Sequence, residues 1–342
     1  MISNRTMIFR RLRGLLLAVV LGAFGLYMVW PWLSPGRQAR TIVFFGFSIL
    51  GEAMNQTVFP AFREEWKAST GEEVEFISSF AGSGTVTNQI LMGVPAELAL
   101  LSLELDANRI ADAHIVPPED WRELPHHGVL NRTPFVILVR EGNPKNIRDF
   151  ADLSRPGIAV VHPDPMTSGG ANWALLAEYG SAARGSGGKV AGEQMLLGIW
   201  RNVVAQAASA RSARTQFENG FGDALITYEQ EAIWDQRHGK LHAEIVYPRS
   251  TILSEHTLVV IDRNISHKNR DLVEAFTDFL WSEKAQRLFA QSGFRSVDER
   301  LNADFHKIDD AFFVDDFGGW KQAKREIIEA VWKGRVLRQL HK

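Results

Sequence analysis

Short runs of apolar residues recur along the chain, and they predict buried strands. The runs at 41–45, 158–161 and 224–227 each contain four or five consecutive residues that are almost all apolar. Runs of this length and composition are typical of strands that are covered on both faces of a sheet. The same pattern predicts further strands at 74–77, 98–101, 134–139, 245–247 and 258–261.

Helical periodicity separates these runs. The first predicted helix has an apolar face formed by Met54, Val58, Phe59, Phe62 and Trp66. Apolar strands that alternate with amphipathic helices predict a largely parallel α/β architecture. Further helices are predicted at 85–92, 106–113, 174–179, 193–204, 271–292 and 319–337, and residues 205–213 are predicted to form a small, polar loop.

Four of the predicted strands are followed by small, hydroxyl-rich loops, which contain Ser48, Ser83, Ser168 and Ser209. In an open α/β sheet, ligands bind in the crevice outside the carboxyl ends of the strands. We therefore expect the four loops to converge on one crevice and to form a ligand site there.

The loop at Ser168 has the most informative sequence, because Ser168-Gly169-Gly170 lies between a predicted strand and a predicted helix. Ser168 can cap that helix, and the glycines leave their backbone N–H groups accessible to a ligand. Unpaired N–H groups and the helix dipole favour an anion at a helix start. Taken alone, the stretch also fits an ordinary capped helix, so the prediction of an anion site depends on the other three loops.

The N-terminal segment predicts export. A mostly apolar, uncharged run begins at Gly14, and it is long enough to span a bilayer. The arginines that precede it predict a cytoplasmic N-terminus. We expect residues 1–40 to contain this cytoplasmic end, a membrane anchor at 14–33 and a linker. A cleaved secretory signal is the alternative, although no clear cleavage site follows the run. The arginines are Arg5, Arg10, Arg11 and Arg13.

Composition narrows the classes of function. The 342-residue chain is 45% hydrophobic and 23% charged, as expected for a folded protein long enough for two domains. Its net charge of −2 and the lack of a nucleic-acid-binding motif argue against nucleic acid as a partner. It contains no cysteine, which excludes disulfides, thiol nucleophiles and cysteine metal sites.

Two patterns could indicate other chemistry, and neither is convincing. His126-His127 could suggest a metal, but adjacent histidines point in different directions and no third ligand is evident. Ser168 with His162 and Asp164 has the residue types of a hydrolase triad, but the Gly-x-Ser-x-Gly elbow is missing. We therefore predict a binding protein that is not an enzyme and needs no metal or cofactor.

Five short segments carry a family resemblance: Ala-Gly-Ser-Gly at 81–84, Arg-Glu-Gly-Asn-Pro-Lys at 140–145, Ser-Gly-Gly-Ala-Asn-Trp at 168–173, Gly-Phe-Gly-Asp at 220–223 and Phe-Gly-Gly-Trp at 317–320. In this order and spacing they resemble the periplasmic sulfate- and thiosulfate-binding proteins of ABC importers, from about Thr41 to about Leu337. The resemblance implies the type II periplasmic-binding-protein fold, in which two doubly wound α/β lobes are joined by two crossover strands and close on the ligand. Lobe I would comprise residues 41–134 and 253–342, and lobe II residues 135–252.

The resemblance also implies the ligand donors. In the family, a dehydrated dianion is held by hydrogen-bond donors and touches no cation. Carried onto this chain, the donors are the backbone N–H groups of Ser48, Ser83, Gly169, Gly170 and Ala210 and the hydroxyl of Ser168. The choice of Ala210 assumes a one-residue gap, without which the donor is Ser209. Tyr228 stands where the family has a tryptophan indole.

Two departures from the family concern the identity of the ligand. Segment 47–52 reads Phe-Ser-Ile-Leu-Gly-Glu where the family has Tyr-Asp-Pro-Thr-Arg-Glu, and Asn172 replaces a common arginine. The resemblance implies sulfate or thiosulfate as ligand, ABC permease subunits as partners, and a monomer in the periplasm or on the outer face of the cytoplasmic membrane. The alternatives are a tethered oxyanion receptor that signals to a partner, or a site for molybdate, tungstate or phosphate.

Overall fold

A computed structural model describes residues 39–340, together with Gly22. Within these residues, no helix combines the length and the apolar character needed to cross a membrane. Apart from Gly22, the predicted anchor at 14–33 lies outside the described residues.

The described strands form one continuous order, β2-β1-β3-β9-β4-β7-β5-β6. β1 pairs in parallel with β2 and β3, and β5 with β7, as the apolar runs predict, and β5 also pairs in parallel with β6. The strands are β1 Arg40–Phe47, β2 Val74–Ala81, β3 Leu98–Leu101, β4 Val129–Val139, β5 Val160–Pro163, β6 Val203–Ala207, β7 Ala224–Tyr228, β8 Glu244–Val246, β9 Ser250–Val260, β10 Arg295–Ser296 and β11 Asp310–Phe312.

Two long antiparallel strands, β4 and β9, connect the halves of this order. The first part of β4, up to Pro134, pairs with β9, whereas Phe135 to Val139 pair with β7. At its other end, β9 pairs with β3 from Thr257 to Val260. This arrangement gives two α/β lobes, one around β1–β3 and one around β5–β8, with β4 and β9 as the crossover strands. The predicted lobe boundaries, after residues 134 and 252, fall within these strands and remain predictions.

The helices cover the sheet between successive strands. The first helical run is continuous, from a 3-10 turn at Ser48–Leu50 through α1 Gly51–Ala53 and a π-helical stretch at Met54–Val58 into α2 Phe59–Thr70. The remaining helices are α3 Ser83–Leu91, α4 Glu104–Asp112, α5 Gly169–Ala183, α6 Gly188–Arg201, α7 Ala210–Glu218, α8 Glu229–Arg237, α9 Arg270–Leu280, α10 Glu283–Gln291, α11 Gly319–Ala323 and α12 Leu337–Leu340, with a π-helical segment at Lys324–Val336 between the last two.

Aromatic side chains fill the core of the first lobe. The rings of Phe59 and Phe76 stack with centroids 3.9 Å apart, and Phe276 lies 4.9 Å from Phe62. Aromatic pairs of this kind contribute about 0.5–1.5 kcal/mol each beyond the area they bury. The predicted apolar face of the first helix is confirmed, because Met54, Val58, Phe59, Phe62 and Trp66 are all buried.

The prediction of a loop at 205–213 is wrong. Residues up to Ala207 belong to strand β6, and helix α7 begins at Ala210 with Ser209 as its cap. β6 lies at the end of the strand order, where it pairs with β5 alone among the described strands, and its first four residues are half-buried or exposed. A strand that is only partly covered needs no continuous apolar run, so hydrophobic periodicity does not reveal it.

The strand predicted at 258–261 is longer than its apolar run. β9 begins at Ser250, because the polar side chains of its first half are buried and hydrogen-bonded. Ser254 donates to the carbonyl oxygen of Thr133 at 2.7 Å, and His256 contacts Asn131 Oδ1 at 2.6 Å. Buried polar groups with partners are tolerated in a core, so the strand does not need apolar residues there.

The C-terminal helical segment contacts both lobes. Trp320 at its start is buried against Trp173 of α5, with ring centroids 4.4 Å apart. Further along, Arg335 pairs with Glu193 of α6 at 2.7 Å. Helix α11 also packs against α4 of the first lobe.

Candidate functional site

Three helices begin at the predicted loops. α3 starts at Ser83, α5 at Gly169 and α7 at Ala210. The first N–H groups of an α-helix have no partner within the helix, and the dipole adds partial positive charge there. Ser168 and Ser209 cap two of these helices, through bonds of 3.4 Å and 3.1 Å from the backbone N–H groups three residues on.

The loops that precede these helices touch one another. A Cβ atom placed on Gly82, directly before α3, would lie 2.6 Å from the carbonyl oxygen of Thr167 and 2.9 Å from that of Ala208. The Thr167 hydroxyl donates to that same Ala208 oxygen at 3.0 Å. The backbone approach leaves room only for glycine at position 82. The starts of α3, α5 and α7, which belong to three of the four loops expected to converge, therefore lie together between the lobes.

The first turn of α5 lies against side chains from both lobes. A Cβ atom on Gly169 would lie 2.8 Å from Ser102 Oγ and 3.0 Å from Ser83 Cβ, and one on Gly170 would lie 2.9 Å from Tyr228 Oη. The structure thus brings Ser83, Gly169, Gly170 and Tyr228 together. Glycine is required at both α5 positions for steric reasons.

The turn at Ser48 joins this group through helix α7. Residues Ser48–Leu50 pack against α7. Glu52, one turn further along, forms a bidentate ion pair with Arg211, in which Nη2 and Oε2 are 2.6 Å apart. The turn that contains Ser48 therefore lies beside α7, the helix that begins at Ala210.

Tyr228 is buried at the end of β7 and keeps its proton. Its ring packs against Phe135, with centroids 4.5 Å apart, and also contacts Phe47 and His256. Burial raises the pKa of the Tyr228 phenol well above its ordinary value. Its hydroxyl, 2.8 Å from that of Ser102, therefore remains a hydrogen-bond donor at every physiological pH.

Ser102 is a residue of this site that the sequence predictions miss. It follows β3 directly, is buried, and donates its backbone N–H to Ser83 Oγ at 3.1 Å. Its carbonyl oxygen accepts from the Trp173 indole at 2.6 Å. The sequence does contain a signal for Ser102, since it is a small hydroxyl residue that follows an apolar strand, as in the other loops.

A carboxylate lies behind Ser83. Asp106 accepts from the Ser83 hydroxyl at 2.6 Å and pairs with Arg109 at 3.1 Å. Burial raises the pKa of Asp106, although Ser83 and Arg109 act in the opposite direction. The Ser83 hydroxyl is therefore occupied on the protein side, and only the N–H group of this residue is left for a ligand.

Arg211 is held by two carboxylates. Besides Glu52, its Nε atom lies 2.9 Å from Glu231, which is fully buried and also accepts from the Thr227 hydroxyl at 2.7 Å. Burial opposes the charge of Arg211, but Glu231 and Glu52 outweigh this effect and raise its pKa. The guanidinium therefore stays protonated, and the two carboxylates balance its positive charge.

The other candidate residues have structural roles. His162 contacts Glu178 at 2.9 Å and the oxygen of Pro163, so it is not directed at Ser168 and there is no triad. Asp164 accepts from the Met166 N–H at 2.9 Å within its own turn. His126 and His127 lie exposed in a 3-10 turn, and no cluster that could hold a metal occurs among the described residues.

The two lobes, the crossover strands and the helix N-termini at one crevice define the class of two-lobed α/β ligand-binding proteins. Residues 50–295 match the family described as bacterial extracellular solute-binding protein. The chain belongs to this family of solute-binding components of ABC importers, and its function is binding and not catalysis.

Individual relatives agree with this assignment. The chain is 35% identical over 291 residues to the sulfate-binding protein of Synechococcus elongatus, with 83% of each chain covered. It is 30% identical over 274 residues to the thiosulfate-binding protein of Pseudomonas aeruginosa, covering 78% of this chain and 82% of that one. The sulfate-binding protein SubI from Mycobacterium tuberculosis is 34% identical and has a similar structure, with a TM-score of 0.76 over 84% of this chain and 99% of SubI.

Proposed function

We propose that this protein binds sulfate or thiosulfate in the crevice between its lobes and delivers it to the permease of an ABC importer. The observation that supports this most strongly is the meeting of three helix N-termini between the lobes, beside the hydroxyl groups of Ser102 and Tyr228. Relatives named for sulfate and thiosulfate, at 30–35% identity, support the same ligand class.

The proposed donors are uncharged. They are the N–H groups of Ser48, Ser83, Gly169, Gly170 and Ala210 and the hydroxyls of Ser168 and Tyr228. Arg211, in the first turn of α7, already pairs with Glu52 and Glu231. Uncharged donors suit a fully deprotonated dianion such as sulfate, because the ligand has no proton that would need an acceptor.

The protein would act outside the cytoplasmic membrane as a monomer, attached through residues 14–33. The family description as an extracellular solute-binding protein supports this location. Export and attachment together would keep the captured oxyanion close to its permease.

Titration calorimetry with the purified protein tests the proposal. The panel is sulfate, thiosulfate, phosphate, molybdate and tungstate at pH 7, with Ser168→Ala as the site variant. Ser296→Ala is the matched control, because Ser296 is also a buried serine but lies in β10 and donates its hydroxyl to Gln286 of α10. We expect sulfate or thiosulfate to bind most tightly, with affinity reduced in Ser168→Ala alone. Tighter binding of phosphate, molybdate or tungstate would refute the proposed ligand.

A further inference from the structure

Two buried hydroxyl groups, one from each lobe, meet beside the first turn of helix α5. Ser102 Oγ follows β3 of the first lobe, Tyr228 Oη ends β7 of the second, and they lie 2.8 Å apart. Both side chains are about 99% buried. Both oxygens also lie close to α5, because a Cβ atom added to Gly169 would be 2.8 Å from Ser102 Oγ and one added to Gly170 would be 2.9 Å from Tyr228 Oη.

The rest of Ser102 is held in place. Its N–H donates to Ser83 and its carbonyl oxygen accepts from Trp173. Ser102 thus makes two contacts with the second lobe, one through the Trp173 indole and one through the Tyr228 hydroxyl. The backbone of Ser102 is therefore fixed on both sides, and rotation about its Cα–Cβ bond is the only freedom left to its Oγ atom.

The Ser102 and Tyr228 hydroxyls have one more hydrogen atom than their mutual hydrogen bond uses. Two hydroxyls carry two hydrogens, and their mutual bond uses one of them. Among residues 39–340, neither oxygen has a further hydrogen-bond partner. One buried O–H is therefore left to donate, and leaving a buried donor unpaired costs about 1–3 kcal/mol.

We propose that Ser102 donates to Tyr228 and thereby directs the phenol hydrogen toward the bound oxyanion. Ser102 is then a positioning residue that determines the strength of the Tyr228 donor. A phenol is more acidic than an aliphatic hydroxyl, so it is the better donor to an anion. A hydroxyl that accepts one hydrogen bond also donates a second one more strongly. This inference rests on the proposed oxyanion site.

The proposal makes the Tyr228 donor dependent on closure of the protein. Because the hydroxyls belong to different lobes, the relay from Ser102 through Tyr228 to the ligand is complete only when the lobes are together. An open protein would leave the phenol hydrogen without a fixed direction.

A double-mutant cycle on the full-length protein tests this arrangement. Sulfate dissociation constants are measured for the parent, Ser102→Ala, Tyr228→Phe and the double variant. We expect Tyr228→Phe to weaken binding about ten- to a hundredfold and Ser102→Ala about three- to tenfold. The double variant should bind like Tyr228→Phe, because Ser102 acts only through the phenol. The unfolding temperature without ligand, compared with Ser296→Ala, separates a binding effect from a loss of stability.

Three outcomes would overturn the proposal. Independent, multiplicative losses in the double variant would show that Ser102 does not act through Tyr228. A large loss in Ser102→Ala with none in Tyr228→Phe would mean that the serine itself faces the ligand. If the parent binds no oxyanion, the proposed function fails and the relay fails with it. Failure of the proposed function is distinguishable from failure of the relay alone, because it is seen with the parent protein before any variant is measured.

Discussion

The ion pair between Glu52 and Arg211 predicts a measurable contribution to closure. Glu52 belongs to the first lobe and Arg211 to the second, so their bidentate contact exists only when the lobes are together. In Glu52→Gln, the new amide keeps one oxygen as an acceptor but loses the charge. Arg211 keeps Glu231 as its partner, so no buried charge is left uncompensated.

The magnitude follows from exposure. The two side chains are 26% and 24% exposed, which places the pair between a buried and a surface ion pair. Hydrogen bonds to charged groups contribute about 1.5–3 kcal/mol when buried, and exposed ion pairs about 0–1 kcal/mol. We therefore expect Glu52→Gln to destabilise the closed form by about 1–2 kcal/mol. This change would increase the dissociation constant for the oxyanion about five- to thirtyfold.

Calorimetry and stopped-flow dissociation measure this effect, and thermal unfolding without ligand is the parallel readout. Glu255→Gln is the matched control, because Glu255 pairs with Arg132 at 3.0 Å and similar exposure but between the crossover strands. Glu52→Gln should speed dissociation and leave the ligand-free unfolding temperature unchanged. If the dissociation constant does not move, or if the ligand-free protein loses stability to the same extent, the pair does not act on closure.

Four further predictions concern the site and the N-terminus. Ser168→Ala should weaken oxyanion binding by roughly 1.5–3 kcal/mol, and unchanged affinity by calorimetry would place the ligand elsewhere. Gly170→Ala should weaken it as well, because its Cβ would lie 2.8 Å from the buried Tyr228 ring, whereas Gly185→Ala has room and should bind normally. Burial works against the charged form of Glu52, but Arg211 outweighs it and lowers the Glu52 pKa. Sulfate affinity should therefore be constant at pH values above 4.5, the ordinary pKa of a glutamate side chain, and should fall as the pH drops through the lowered pKa of Glu52. In Glu52→Gln, the affinity should not decrease over this pH range. Mass spectrometry of the membrane fraction should find residues 14–33 retained, and a soluble chain starting near Arg40 would contradict the anchor.

The strands with continuous apolar runs could be predicted from the sequence, because full burial in a parallel sheet requires apolar residues on both faces. The cap at Ser168 could be predicted for a similarly local reason. Strand β6 and the first half of β9 could not, because β6 is only partly covered and the polar residues of β9 are satisfied by partners more than a hundred residues away.

In the candidate site too, some features follow from the local sequence and others depend on contacts between distant residues. The helix starts at Ser83 and Gly169 follow from short-range patterns of strand, small residue and helix, whereas the start at Ala210 lies in a segment that the sequence pattern predicts to be a loop. The position of Ser102 opposite Tyr228 depends on how the lobes meet, and that contact joins residues 126 positions apart. Residue types alone do not indicate such a pairing.

The helix starts that meet at Gly82 also have a consequence for how this protein can change over evolution. A backbone N–H group is present whichever side chain the residue carries, so most substitutions in the crevice cannot delete a donor. Selection for a new ligand would have to act through the few side chains that reach the site, such as Ser168 and Tyr228. Saturation mutagenesis of the crevice should therefore find that Gly82 and Gly169 tolerate no replacement, because even the methyl group of alanine would collide with neighbouring atoms. The positions beside these glycines should tolerate many replacements without loss of binding. Relatives could then diverge widely in sequence while the pattern of donors stays the same.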